Sequence, residues 1–136
     1  MRISIAQKRG LISVYSADLD IRVVEKIRED EILGKRYYGS MYAVRRAIAL
    51  CKPILEEIQP DDIVLFEVSS LTVVSWLENN EANKGYEVYF DQLLEELNML
   101  PICYKFVHSE DSSAVRFMDE YDGKVKLSGM ESLLDA

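Results

Sequence analysis

Residues 2–16, RISIAQ-KRG-LISVYS, decide how the rest of the chain is read. Residues 2–7 alternate apolar and polar with a period of two, as a strand with two different faces does. Lys8-Arg9-Gly10 breaks that alternation, and Gly10 can take the positive φ that a tight hairpin often needs. Residues 11–16 then return as a second strand. A third run, Ile21 to Ile27, puts Ile21, Val23, Glu25 and Ile27 on one face, where Glu25 is out of character. Three consecutive antiparallel strands of this kind form a meander.

Beyond the meander the period changes to that of a helix. Met41, Val44, Ile48, Cys51 and Leu55 recur at three- and four-residue spacing and form an apolar stripe. Ser40 is the expected N-cap, because its hydroxyl can accept from the open amides of a first turn. Arg45 and Arg46 lie off the stripe and should face solvent or a partner. Pro53 removes an amide and crowds the preceding turn, so a kink or break is expected there, with the segment over by Gln59-Pro60. Residues 63–68 (IVLFEV) form a nearly continuous apolar run, as in a strand buried on both faces. Ser69 or Ser70 then caps a short helix from Leu71 to Leu77 carrying Val73, Val74 and Trp76. Residues 78–85 (ENNEANKG) are polar and read as an exposed loop. A second long amphipathic helix is expected over 86–100 through Tyr86, Phe90, Leu93, Leu94, Leu97 and Leu100. After Pro101 a strand should run from Ile102 to Val107. A last helix is expected from about Asp111 to Tyr121, with Ser109 as its N-cap.

Bulk properties exclude several classes. The 136 residues suit one domain able to bury a core, and no repeat or linker divides them. Hydrophobic residues at 49% and charged residues at 29% match a globular chain rather than a disordered one. No apolar run approaches the roughly 18 residues of a membrane helix. The N-terminus lacks the apolar core of a secretory signal. With only Cys51 and Cys103, each in an apolar stretch, a disulfide scaffold or zinc site is not indicated, and both thiols are expected in the core. The expected location is the cytoplasm, with no membrane association.

The net charge of −8 hides an asymmetry. Residues 1–52 hold eleven Lys and Arg against six Asp and Glu, a balance of +5, whereas residues 53–136 hold five against eighteen, a balance of −13. So acidic a chain repels polyanions overall, which disfavours broad binding to nucleic acid. The basic first third can still meet a phosphate backbone, or the acidic surface of another copy.

The element order of three strands, helix, strand, two helices, strand and helix resembles the ribonuclease H-like fold. That family has an antiparallel meander plus parallel strands, with helices on both faces. Residues 41–50 (MYAVRRAIAL), then 62–70 (DIVLFEVSS) with Val73 and Val74, look like its first helix and fourth strand. Residues 104–109 (YKFVHS) look like its last core strand and the His-Ser turn after it. The resemblance covers nearly the whole chain and makes residues 1–136 one α/β domain.

What the resemblance implies about activity depends on acids. Hydrolases of the family hold two divalent ions between acids from the first strand, first helix, fourth strand and last helix. Hard cations require such oxygen ligands, and paired ions clamp the attacking and leaving oxygens. Here the first strand offers Ala6-Gln7, and no Asp or Glu occurs between Tyr37 and Leu55. Glu67 fits the fourth-strand position, while Asp111 and Asp119 fit the last-helix position poorly. His108 matches a histidine that some members place beside the site. If residues 11–16 were instead the family's first strand, Asp18 or Asp20 would supply the missing acid, and Asp18, Glu67 and Asp111 would form a reduced, resolvase-like triad. Each residue also has a purely structural reading: Glu67 as a strand-end or arginine-paired carboxylate, and His108 as a turn residue.

An architectural pattern kept beside a depleted acid set points to a non-catalytic binding or assembly module. Protein contacts would be made by the patch of Lys35, Arg36, Tyr38, Tyr42, Arg45 and Arg46 and by the acidic C-terminal half, with no metal or other cofactor. Self-association, basic patch to acidic face, is one form of this, and the resemblance suits a viral or mobile-element accessory protein. Two other readings stand beside it. One is a nuclease or resolvase using Glu67, Asp18 and Asp111 with Mg²⁺ or Mn²⁺. The other is a nucleic-acid binder without hydrolysis, in which Tyr38 and Tyr42 stack bases beside Arg45 and Arg46.

Overall fold

The computed structural model describes residues 1–28 and 36–121. Strands β1 (Arg2–Lys8), β2 (Leu11–Ser16) and β3 (Ile21–Lys26) form the expected antiparallel meander. Lys8 pairs with Leu11, which leaves Arg9 and Gly10 as a two-residue loop. Both are left-handed, with φ of 52° and 77°, as a type I′ hairpin requires. Gly10 adopts this without a Cβ penalty, and Arg9 accepts the penalty because the strands on either side fix the turn.

Strand β4 (Val64–Val68) runs parallel to β1, and β5 (Tyr104–His108) runs parallel to β4. The order across the sheet is β3-β2-β1-β4-β5, so the protein is α/β with one mixed five-stranded sheet. Residues 2–8, and not residues 11–16, hold the centre of the sheet: β1 pairs with β4 on one side and with β2 on the other.

Helix α1 (Tyr38–Ile58) crosses one face, followed by α2 (Leu71–Asn79) and α3 (Glu87–Asn98). A fourth helix, α4, occupies residues 113–121. Alternation along β1 assigns the faces. Ile3 and Ile5 join the main core with Met41, Val44, Ile48, Cys51 and Leu55 of α1 and Phe90, Leu93 and Leu97 of α3, all at most 2% exposed. Ala6 points the other way and packs on Ala114 and Met118 of α4. The α1 stripe read from the sequence is therefore the stripe that is buried. Phe66, on the core face of β4, stacks on Phe106 of β5 with ring centroids 5.0 Å apart.

Several element ends differ from expectation. Helix α1 starts before Ser40, with left-handed Tyr37 as its N-cap residue and no side-chain cap bond. The Tyr37 ring packs edge-on against Trp76 and Tyr86, so aromatic packing anchors this end in place of a hydroxyl. Gly39 permits close approach to β1, since a Cβ there would stand 3.0 Å from the Gln7 side chain. Pro53 does not break the helix, which continues to Ile58. Its ring and Ala49, whose carbonyl loses the amide partner, are both exposed, so water can take the place of the missing bond. Ser70 caps α2 as expected, accepting from the Val73 amide at 3.3 Å. Helix α4 starts at residue 113, so Ser109 is not its cap; its hydroxyl lies 3.4 Å from Asp111 instead.

The cysteines separate in a way the apolar neighbours of both did not suggest. Cys51 is in the core, where burial pushes its thiol up to about 12. Cys103 is exposed just ahead of the edge strand β5, where its carbonyl accepts from the Val64 amide while its side chain remains accessible. At neutral pH an alkylating reagent should therefore modify Cys103 within minutes and reach Cys51 only after denaturation; intact mass spectrometry with and without urea checks this. Phe66→Ala should lower unfolding free energy by about 3–5 kcal/mol, since it removes a fully buried ring from an interior strand. Urea titration followed by circular dichroism measures that loss.

Candidate functional site

Three of the residues singled out for binding come together. Tyr42, Arg45 and Arg46 of α1 line an open groove of about 540 Å³, whose walls are α1, the end of β3 and α3. Arg28, just past β3, and Lys52, farther along α1, bring its basic side chains to four. Among the described residues its acids are Glu25 of β3 and Glu96 of α3, and Tyr89 and Met99 close the α3 side. Over those described residues the lining has a positive balance, in a protein whose net charge is −8.

The two arginines are not simply solvated. Being adjacent on a helix, they point about 100° apart and reach different neighbours. Arg45 extends to α3, where its Nε donates to Glu96 Oε2 at 3.0 Å and its Nη2 donates to Oε1, a forked pair. The same guanidinium lies 4.8 Å from the centre of the Tyr89 ring. The Glu96 bonds, opposed by burial and aided by Tyr89, raise the pKa of Arg45 above its ordinary value. Arg46 turns toward the sheet and donates through Nε to Glu25 Oε1. Glu25, the residue that interrupted the apolar face of the third strand, is therefore there to meet Arg46.

The other members of the predicted patch lie elsewhere. Arg36 covers the ring of Tyr37, 4.9 Å from its centre. Tyr38 packs on Tyr86 and Tyr89, and its hydroxyl donates to the Gly85 carbonyl at 2.9 Å. Its ring belongs to an aromatic cluster between α1 and α3 rather than to an open stacking platform. Lys35 lies outside the described residues. Arg28, Lys52, Tyr89, Glu96 and Met99 were not singled out from the sequence. The i, i+7 spacing of Arg45 and Lys52 was a readable signal, whereas the others come from elements whose proximity no local pattern reports.

The three acids proposed for a reduced metal site do not form one cluster. Glu67 of β4 lies opposite Ser4 of β1, and the Ser4 hydroxyl donates to Glu67 Oε1 at 3.0 Å. This half-buried carboxylate is thus satisfied by a neutral serine, not by an arginine. Asp18 Oδ2 accepts from the Arg2 amide at 2.9 Å, at the N-terminal end of β1. Asp111 follows the C-terminal end of β5, the opposite end of the parallel strands, beside Ser109. Asp119 pairs at 3.5 Å with Lys8, and both are about half exposed. His108 ends β5 with Nε2 at 3.8 Å from Glu110. Among the described residues, no three His, Cys, Asp or Glu side chains form a cluster able to hold a metal ion. No helix among them is long and apolar enough to cross a membrane.

Comparison with protein-family models, curated proteins and solved structures finds no match to this chain.

The forked Arg45–Glu96 pair is partly shielded, with side-chain exposures of 25% and 39%. Allowing for solvent screening, a double-mutant cycle of Arg45→Ala and Glu96→Ala should give a coupling of about 1 kcal/mol in low salt. The coupling should fall in high salt, and chemical denaturation with urea reads both values.

Proposed function

We propose that this chain is a ribonuclease H-like domain that works by binding, and that its binding surface is the groove between α1, β3 and α3. The strand order β3-β2-β1-β4-β5, with an antiparallel meander on one side and parallel strands on the other, supports that fold assignment. The observation that carries the binding reading is the convergence of Arg28, Arg45, Arg46 and Lys52 with two tyrosines in one open groove of an acidic protein. Arginine and tyrosine are the residues that protein interfaces favour.

The chemistry of the groove selects the kind of partner. Arg45 and Arg46 are already engaged by Glu96 and Glu25, so they furnish a rigid, partly neutralised floor. Arg28 is exposed and Lys52 makes only a 3.8 Å contact to Glu56, leaving both able to meet carboxylates from outside. A phosphate backbone would meet the floor carboxylates and the field of a protein at −8. An acidic protein segment, whose charges are spaced and mixed with apolar residues, suits Met99 and Tyr42 as well as the cations. The occupant is accordingly an acidic, amphipathic stretch of protein.

Fluorescence anisotropy with labelled poly-L-glutamate tests this. The wild-type protein should bind it in low salt, and Arg28→Glu with Lys52→Glu should weaken binding by about tenfold or more, since like charges would then face each other. Equal binding by the double variant would remove the groove from the reading. A parallel assay in Mn²⁺ with single-stranded, duplex and branched oligonucleotides should show no cleavage. Cleavage abolished by Glu67→Gln would move the function to the β4 carboxylate.

A further inference from the structure

Helix α3 has two sides with opposite roles. Toward α1 it presents Tyr89 and Glu96, which line the groove. Away from α1 it presents Glu87, Asp91 and Glu95, all exposed and spaced four residues apart, so that they form one acidic ridge. At about 100° per residue, the ridge lies roughly 100° or more around the helix from Tyr89 and Glu96. No salt bridge among the described residues involves Glu87, Asp91 or Glu95. Beside the ridge stands Val88, which is 76% exposed, while Met99 at the groove is 66% exposed.

We infer that the acidic segment taken by the groove is the α3 ridge of a second copy of this chain, so that the protein assembles head to tail. The inference rests on the binding role of the groove proposed above and names its partner. Two features fit together. Val88 of one copy has an exposed apolar counterpart in Met99 of the next. The donor and acceptor surfaces are different patches on one molecule, so each copy that fills a groove still offers an empty groove of its own. Repeated in one direction, such a heterologous contact closes into a ring or continues as a filament. The partner-facing cations are Arg28 and Lys52, because Arg45 and Arg46 already tie α1 to α3 and β3.

Sedimentation velocity over a range of concentrations tests the arrangement. In about 50 mM salt the wild-type protein should form species larger than a dimer, and these should dissociate in about 500 mM salt, where surface charges are screened within a few Å. Arg28→Glu with Lys52→Glu leaves the ridge intact and should be monomeric. Asp91→Lys with Glu95→Lys leaves the groove intact and should also be monomeric. Mixed in equal amounts, the two variants should form a dimer that grows no further, since each contributes one intact surface and the complex ends on two blocked ones. Circular dichroism establishes that both remain folded. A wild-type protein that stays monomeric in low salt, or variants that assemble like the wild type, would overturn the inference. If the wild type is monomeric yet still binds poly-L-glutamate through Arg28 and Lys52, the groove reading stands and only the choice of partner fails.

Discussion

The parallel pairing of β1 with β4 is the constraint from which the remaining architecture follows. Ile3 sits opposite Phe66 and Ser4 opposite Glu67, although more than sixty residues separate each pair in the chain. A parallel neighbour cannot be reached by a hairpin, so the chain must cross a face of the sheet before β4 can dock. Helix α1 is that crossing, and its buried stripe from Met41 to Leu55 covers the central strands. With β4 paired on both sides, its inward face must be apolar, and Phe66 stacks on Phe106 of the next parallel strand. The one acid on β4 is tolerated because it lies on the other face, where the Ser4 hydroxyl reaches it.

The same crossing creates the groove. A helix laid over a sheet has one buried side and two flanks, and here each flank carries an arginine. Arg45 ties one flank to α3 through Glu96, and Arg46 ties the other to β3 through Glu25. These pairs fix the spacing of the three elements and leave a positive cleft between them. Because the floor carboxylates are internal partners, exposed Arg28 and half-buried Lys52 are the lining cations that they do not engage. In a protein that is acidic overall, such a cleft is the basis of the binding role proposed above. Electrostatic complementarity of this kind governs orientation and rate of encounter more than affinity.

The sequence was most legible where local periodicity and burial coincide. The hairpin at Arg9-Gly10, the α1 stripe and the Ser70 cap were all readable, because each depends on residues within a few positions of one another. Element ends decided by distant packing were not. Tyr37 caps α1 by resting on Trp76 and Tyr86, far along the chain, and nothing near Ser40 reveals that. Pro53 reads locally as a breaker, because no neighbouring residue shows that its face of the helix is exposed to water. Cys51 and Cys103 sit in similar apolar stretches, yet one lies beneath a helix and the other ahead of an edge strand.

By itself, the sequence determined the α/β class, the order of elements and the presence of an arginine- and tyrosine-rich segment around residues 36–46, since composition and period are local properties. Tertiary structure decided which of those residues act together. It divided the segment into an aromatic anchor around Tyr37 and Tyr38 and a groove wall around Tyr42, Arg45 and Arg46. It also separated Asp18 from Asp111 by placing them at opposite ends of the parallel strands. Side chains converge according to strand order and helix direction, and long-range pairings such as β1 with β4 fix those, leaving no trace in the spacing of neighbouring residues.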